Sequence, residues 1–410
     1  MAEVPVIQIL DKKNYFKQAL VAVPDALPLP PLKESSIQIR TEAFSLTSNN
    51  FTYCKVGHLL GWWDVHPIPP STPAPYSDTS VYGRINCWGY AKVLDSTFDG
   101  VPKGSYVWGY LPIGTLPQNL QVKTGNIPGQ VIVTDDFRQK QLPIYNRYHV
   151  FPASVGQEIE AKSDNIAYDA IIRVMHLTSY LMTGFMFPAD PSQSVNLTPE
   201  QADLAGATVI AFAPGSKVGQ AFAYLLRNDR AGSAKPRAII GAASEYSRAY
   251  VQSTGLYDEV VSTADDPLAL LARLGVSKDA KVAIFDFGGR AGAAWKWVAA
   301  IKAAYPRAQF TAIGAEVSDP TAEGAAAGPP QIEGLDVSQV NASGLLTAAM
   351  EKAGERAFFD GFEAAWREYR ANGIKGVRVV WGEGMGDVEK GWDRFARNGV
   401  QADEGLMFKV

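Results

Sequence analysis

The sequence predicts an α/β protein in which a β-rich domain is followed by a doubly wound parallel sheet of the dinucleotide-binding kind. Three observations predict it. Residues 207–226, ATVIAFAPGSKVGQAFAYLL, join an apolar strand to an amphipathic helix through a turn of small residues. From there to about residue 313, strand and helix patterns alternate, which calls for a parallel sheet covered by helices on both faces. Before about residue 160 the pattern is mainly that of strands and turns.

Composition sets the frame. The chain has 410 residues, a net charge of -4 and 47% hydrophobic residues, enough for two domains with full cores. The weak negative charge and the lack of a basic stripe give no support for a nucleic-acid partner. The longest apolar stretch, near residues 182–187, is too short to span a bilayer, so no membrane partner is expected. The opening MAEVPVIQILDKKN shows no charged head before an apolar run, so no signal peptide is expected. Cys54 and Cys87 are the only cysteines; they cannot build a disulfide framework, and a cytoplasmic location is the simpler expectation.

Along the chain, residues 35–44, 88–96 and 105–110 read as strands, with a turn at 100–104 and a proline-rich loop at 68–75. Residues 166–187 read as one long apolar helix. Thr198 reads as the N-cap of a short helix over 199–204. Strands are expected at 207–212, 236–240, 259–262, 281–285 and 310–313, and a loop at 318–333. A helix over 345–370, a strand at 377–381, a helix at 387–397 and a strand at 406–410 close the chain. The predicted division is 1–165 for the first domain, with 372–410 returning to it, and 166–371 for the second.

The turn after the first parallel strand is where a helix N-terminus would attract a pyrophosphate. Gly215 and Gly219 are present, but Ser216 and Lys217 stand where more glycine is common, and Val218 completes the turn's cofactor-binding candidates. Either the Ser216 hydroxyl and Lys217 ammonium contact phosphate directly, or their bulk closes the site to a dinucleotide. After the second strand no Asp or Glu stands at the tip to hold a ribose 2′-hydroxyl. Ser244 and Arg248 are instead placed to receive a 2′-phosphate, so NADP(H) is the expected cofactor. The alternative is that Ser244 caps the next helix and Arg248 is a solvated helix residue; Glu245 would repel an added phosphate. Phe287 and Gly314, just past later strands, complete the cofactor-binding set.

Several segments occur in one order. They are 43–50 (AFSLTSNN), 89–93 (GYAKV) and 101–110 (VPKGSYVWGY). Together they resemble the medium-chain dehydrogenase/reductase superfamily in its zinc-free, quinone-reductase-like branch, over nearly the full length. That resemblance implies a GroES-like catalytic domain ahead of a Rossmann-type domain. Residues 46–54 (LTSNNFTYC), the Arg173–Thr178–Ser179 pattern, 215–219 (GSKVG) and 255–260 (GLYDEV) are similar to a branch of that superfamily known mainly as a domain of unknown function. Residues 61–67 depart from that branch, and 68–83 match nothing in it. The resemblance also implies a possible homodimer.

Zinc ligation is not expected. Two cysteines exclude a four-cysteine site, no Gly-His-Glu stretch exists, and the spacing of Cys54, His58 and His66 fits no metal motif. Cys54 reads as a small buried hydrophobe in preference to a nucleophile. The polar groups with catalytic promise are Asn50 and Tyr53, beside Asn49, and Arg173, His176 and Thr178. Arg173 and His176 share one face of an otherwise apolar helix, where they need partners or water. An internal salt bridge to Asp169 is the alternative for Arg173. Trp62 and Trp63 are adjacent and cannot both face one core.

The expected function is a metal-free, NADP(H)-dependent reductase of an activated alkene or ketone, on an apolar or conjugated small molecule. A non-redox enzyme on the same scaffold (lyase, isomerase, cyclase or hydrolase), or a non-catalytic binder of a small apolar ligand, are the alternatives if the cofactor site is degenerate.

Overall fold

The computed structural model describes residues 4–314, 317, 320 and 332–410. Most of the loop expected at 318–333 lies outside the described residues.

The first sheet has eight strands. In spatial order they are Arg378–Glu383, Glu404–Lys409, Ser36–Leu46, Asn86–Ser96, Tyr106–Pro112, Arg147–Phe151, Gln130–Val133 and Gln118–Thr124. The last pairs back onto Ser36–Leu46, so much of the sheet curls into a barrel whose inner side chains form the core. Alternation in SSIQIRTEAF thus becomes a long central strand. Gly89 is required where two strands nearly touch, since a Cβ there would lie 2.2 Å from the Ala43 carbonyl oxygen. A smaller sheet of Gln18–Ala22, Val6–Asp11 and Tyr82–Gly83 covers one side.

The second sheet is parallel throughout, in the order Glu259–Ser262, Ala238–Ala243, Thr208–Phe212, Val282–Phe287, Ala308–Gly314 and Asp336–Gln339. Its order reverses between Thr208–Phe212 and Val282–Phe287, which opens a crevice at their carboxyl ends. The fold class is therefore the one expected. The strand Asp336–Gln339 has no counterpart among the predicted strands: DVSQ is a polar edge strand without the apolar run that marks its buried neighbours.

The chain's end returns to the first sheet, where Glu404–Lys409 pairs antiparallel with Ser36–Leu46. Two predicted helices are divided. Residues 166–187 form Asp164–Ile171 and Arg173–Leu181, separated at Ile172, and continue into a π-helical turn over Met182–Met186. Residues 345–370 form Ala342–Ala353 and Glu355–Asn372, parted by Gly354 at φ +81°, a left-handed conformation that glycine adopts without penalty.

The two sheets share one hydrophobic core, which runs from Tyr90 and Leu406 through Ile171 to Phe222 and Trp366. Asp169 ties the parts together at its centre. It accepts from Tyr90 Oη at 2.8 Å, from Trp366 Nε1 at 2.8 Å and from Arg370 at 3.3 Å. Such a buried carboxylate is tolerated only because it is paired and hydrogen-bonded. No helix among the described residues is long and apolar enough to cross a membrane.

Candidate active site

Ser216 is the N-cap of the helix Lys217–Asn228, and its Oγ accepts from the Gly219 N–H at 3.1 Å. The first amides of a helix have no intrahelical partner, so the Lys217 and Val218 N–H groups remain for an anion at the turn. The turn is braced from behind. Tyr257 Oη donates to the Pro214 carbonyl at 2.8 Å, and Gln220 Nε2 donates to the Gly215 carbonyl at 2.9 Å. Gly215 lets the turn lie against the next helix, because a Cβ there would meet Val251 at 3.2 Å.

The Lys217 ammonium is not directed at the turn. It donates to the backbone carbonyls of Ala402 at 3.1 Å and Glu404 at 2.8 Å. Burial lowers its pKa to about 8, against the opposing pull of Asp403 and Glu404.

At the carboxyl end of Ala238–Ala243, Ser244 Oγ lies 3.1 Å from Ser247 Oγ. Arg248 stands on the same helix, 3.8 Å from Glu245, both partly exposed. Gly219, Phe287 and Gly314 converge at the floor of the crevice. A Cβ on Gly219 would sit 3.3 Å from the Phe287 ring, and one on Gly314 would sit 2.5 Å from the Phe287 carbonyl oxygen. Only glycine fits at 314.

The candidate catalytic residues separate into two groups. Asn50 is 2% exposed, and its amide is committed to the fold: Oδ1 accepts from the Thr47 N–H at 2.7 Å and Nδ2 donates to the Asn86 carbonyl at 2.6 Å. This closes a capping box at the start of Ser48–Lys55. His176 is fully buried, and neither ring nitrogen has a partner among the described residues. It stacks on Tyr369 at 4.8 Å and touches Phe362 and Trp366. Burial, and then the Arg173 charge, depress its pKa to about 3. Thr178 is half-buried, its hydroxyl 3.4 Å from the Val174 carbonyl. The neighbouring Ser179 donates to the Val218 carbonyl at 2.8 Å, which seats this helix against the phosphate-type turn.

Arg173 and the Trp88–Trp108 pair line a slot, and Tyr53 is buried behind it against Trp88. Tyr53 Oη accepts from Trp88 Nε1 at 3.0 Å, with Asn49 and Tyr145 beside it, and burial pushes its pKa up to about 12. It is thus a protonated donor at neutral pH. Trp88 stacks on Trp108 at 5.1 Å. Arg173 lies 5.3 Å over the Trp108 ring and pairs with Glu363 and, at 3.9 Å, with Asp169. Trp88, Trp108, His149, Arg173, Leu177 and Phe362 line a slot of about 30 Å³, room for about two waters. His149 is held neutral by burial and by the charges of Arg173 and Arg147.

Trp108, His149 and Phe362 were not among the residues singled out from the sequence. Each sits in an ordinary strand or helix pattern, and only the pairing of sheet and helix brings them together. Trp62 and Trp63 are both buried but face opposite ways: Trp62 packs on Tyr53 and Tyr145, while Trp63 packs over Gly57 and Gly83. Cys54 is buried, His58 is exposed and His66 is buried. Among the described residues no group of three or more His, Cys, Asp or Glu side chains could hold a metal ion.

A family described as a protein of unknown function (DUF2855) matches residues 44–401. No curated protein matches the sequence. Among solved structures, the chain is similar to CurA in complex with NADPH from Vibrio vulnificus. That match has 13% identity over 99% of both chains and a TM-score of 0.58. It is similar to mycobacterial Rv1454c complexed with NADPH, at 13% identity over all of both chains and a TM-score of 0.56. It is also similar to a mutant form of the enoyl thioester reductase from Candida tropicalis, at 13% identity, full coverage of both chains and a TM-score of 0.54. These likenesses show the fold, that of medium-chain dehydrogenases/reductases with a GroES-like and a Rossmann-type domain.

Proposed function

The chain belongs to the DUF2855 family, and from that premise we propose that it is a metal-free oxidoreductase using NADP(H) to reduce an activated alkene or ketone. The observation that carries this reading is the crevice between Thr208–Phe212 and Val282–Phe287, with the Gly215–Gly219 turn at its edge. Two of the similar structures hold NADPH.

The residues present fit a dinucleotide. The Lys217 and Val218 amides would hold the pyrophosphate at the helix N-terminus. Ser244, Ser247 and Arg248 would hold the 2′-phosphate, since no side-chain carboxylate replaces them at the strand tip. Gly314 and Phe287 would floor the crevice. When bound, the cofactor supplies a hydride. The chain's own work is to orient the substrate and stabilise charge on its oxygen. Tyr53, buried behind Trp88 and outside the slot's lining, is the proposed donor once the slot opens to it, as its proton is retained and Trp88 fixes its hydroxyl. Trp88, Trp108 and Leu177 present an apolar, aromatic wall suited to a conjugated substrate. Arg173 is a positioning residue, since its guanidinium is engaged by Glu363 and Trp108. A slot of about 30 Å³ must widen to admit substrate. Pairing of two chains into a homodimer belongs to the same proposal.

One observation favours a non-redox enzyme on this scaffold. Ser216 Oγ takes the Gly219 amide, and the Lys217 ammonium is bound elsewhere, so the turn offers fewer contacts than expected. The test is consumption of NADPH, followed by absorbance, against a panel of quinones, enones and aryl ketones. Turnover that Tyr53→Phe reduces supports the proposal. Absence of turnover across the panel, with cofactor bound, moves the chemistry to the non-redox reading.

A further inference from the structure

A pocket of about 350 Å³ opens in the first domain, and every residue lining it precedes position 140. That size lies at the lower end of small-molecule sites, which span about 300–1,000 Å³. Its wall is largely apolar: Pro30, Pro31, Leu116, Pro117 and Phe137 contribute to it. The wall also contains Arg84, His66 and Gln118.

Among the described residues, particular polar atoms of these side chains have no protein partner. Arg84 is 5% exposed and forms no ion pair, and its Nε and Nη2 have no hydrogen-bond partner among the described residues. His66 is 2% exposed with Nε2 unpartnered, and the Gln118 amide nitrogen is unpartnered as well. All of these atoms are donors, or a donor in one tautomer for the imidazole. A second buried cation, Arg138, lies close enough to help keep His66 neutral, and its own Nη2 is bound to the Tyr145 carbonyl at 2.6 Å. A buried guanidinium without an anionic partner is costly to the fold. The one carboxylate in the wall, Asp135, has Oδ2 occupied by the Gln121 amide at 2.9 Å.

We propose that this pocket is a second ligand site, separate from the crevice, that binds a small monocarboxylic acid with an apolar body. The Arg84 guanidinium takes the carboxylate, for which its planar donor fork is matched. The Gln118 amide nitrogen supplies a further donor. The prolines, Leu116 and Phe137 cover the apolar body. A monoanion suits the site better than a phosphate dianion, because Asp135 offsets one of the two cations lining it, Arg84 and Lys33, and the wall is mainly apolar.

The test is calorimetric titration of the full chain with 3-phenylpropionate, with 3-phenylpropionamide and inorganic phosphate as comparisons. The acid is expected to bind at least about tenfold more tightly than the amide, and more tightly than phosphate. Arg84→Met is expected to lose at least about tenfold in affinity while unfolding at no lower temperature than the parent, since it removes an unpaired buried charge. Phe137→Ala changes a residue 38% exposed at the pocket mouth, so it keeps the fold and is expected to weaken the acid severalfold. Binding of NADPH should be unchanged in both variants. Equal binding of acid and amide, phosphate binding more tightly than the acid, or no acid binding at millimolar concentration overturns the proposal. So does acid binding that neither variant weakens.

Discussion

The Lys217 ammonium donates to the backbone carbonyl of Glu404 at 2.8 Å, so the first residue of the helix behind the phosphate-type turn is bonded to the strand that ends the chain. Glu404 is itself held by Arg378 and Arg394, at 2.9 and 2.6 Å. The lysine that resembled a phosphate ligand in the sequence thus joins the second domain to the C-terminal return of the first.

Lys217→Met should change NADPH and NADH affinity by only a few-fold, and equally for both. A lost charge-assisted phosphate contact would cost on the order of tenfold or more. Its clearer effect is on stability against pH. The folded pKa is depressed to about 8 from an ordinary 10.5. Between those values the unfolded chain binds the proton and the folded chain does not, so this group makes stability rise with pH across that window. Thermal unfolding from pH 7 to 10.5 should show that rise in the parent and a smaller one in Lys217→Met.

His176→Phe should bind cofactor like the parent, because the ring lies among Tyr369, Phe362 and Trp366. The folded pKa is depressed to about 3 from 6.5. Below pH 6.5 the unfolded chain takes up a proton that the folded chain refuses, so stability falls as pH drops toward 3. The loss from this group approaches roughly 5 kcal/mol, at about 1.4 kcal/mol per unit. Denaturant titrations at pH 7 and pH 4.5 should show a smaller acid loss in the variant.

Tyr53→Phe keeps the ring among Trp62, Tyr110 and Tyr145 and removes only the hydroxyl. It should lower kcat on any reducible substrate by about 10²-fold, the scale for one oxyanion donor. The Kd for NADPH should be unaltered. An unchanged kcat would remove Tyr53 from the chemistry.

Arg248→Ala should weaken NADPH by about tenfold and leave NADH unchanged, since only NADPH carries the added phosphate. Glu245→Gln should do the reverse and tighten NADPH, because the carboxylate lies 3.8 Å from the guanidinium.

The parts of the fold that were legible are those written in local pattern. The unit at 207–226, the Thr198 cap with its Gln201 partner and the final strand are each carried by consecutive residues. The division at Gly354 had a signal, a glycine within the run AMEKAGERAFF, that helical periodicity on either side obscured. The candidate site was less legible, because side-chain direction is set by tertiary partners. Asn50 looked like a catalytic amide, yet the Asn86 carbonyl and Thr47 amide claim both its ends. Arg173 found Glu363, 190 residues away in sequence. The Trp88–Trp108 stack and the Arg84 pocket depend on strand register and loop packing that no short window encodes.

The measurement that tests the central claim most directly is calorimetric titration of the purified chain with NADPH and with NADH. The account predicts saturable NADPH binding at one site per chain, tighter than NADH, with the difference abolished in Arg248→Ala. No binding of either nucleotide at millimolar concentration would contradict it.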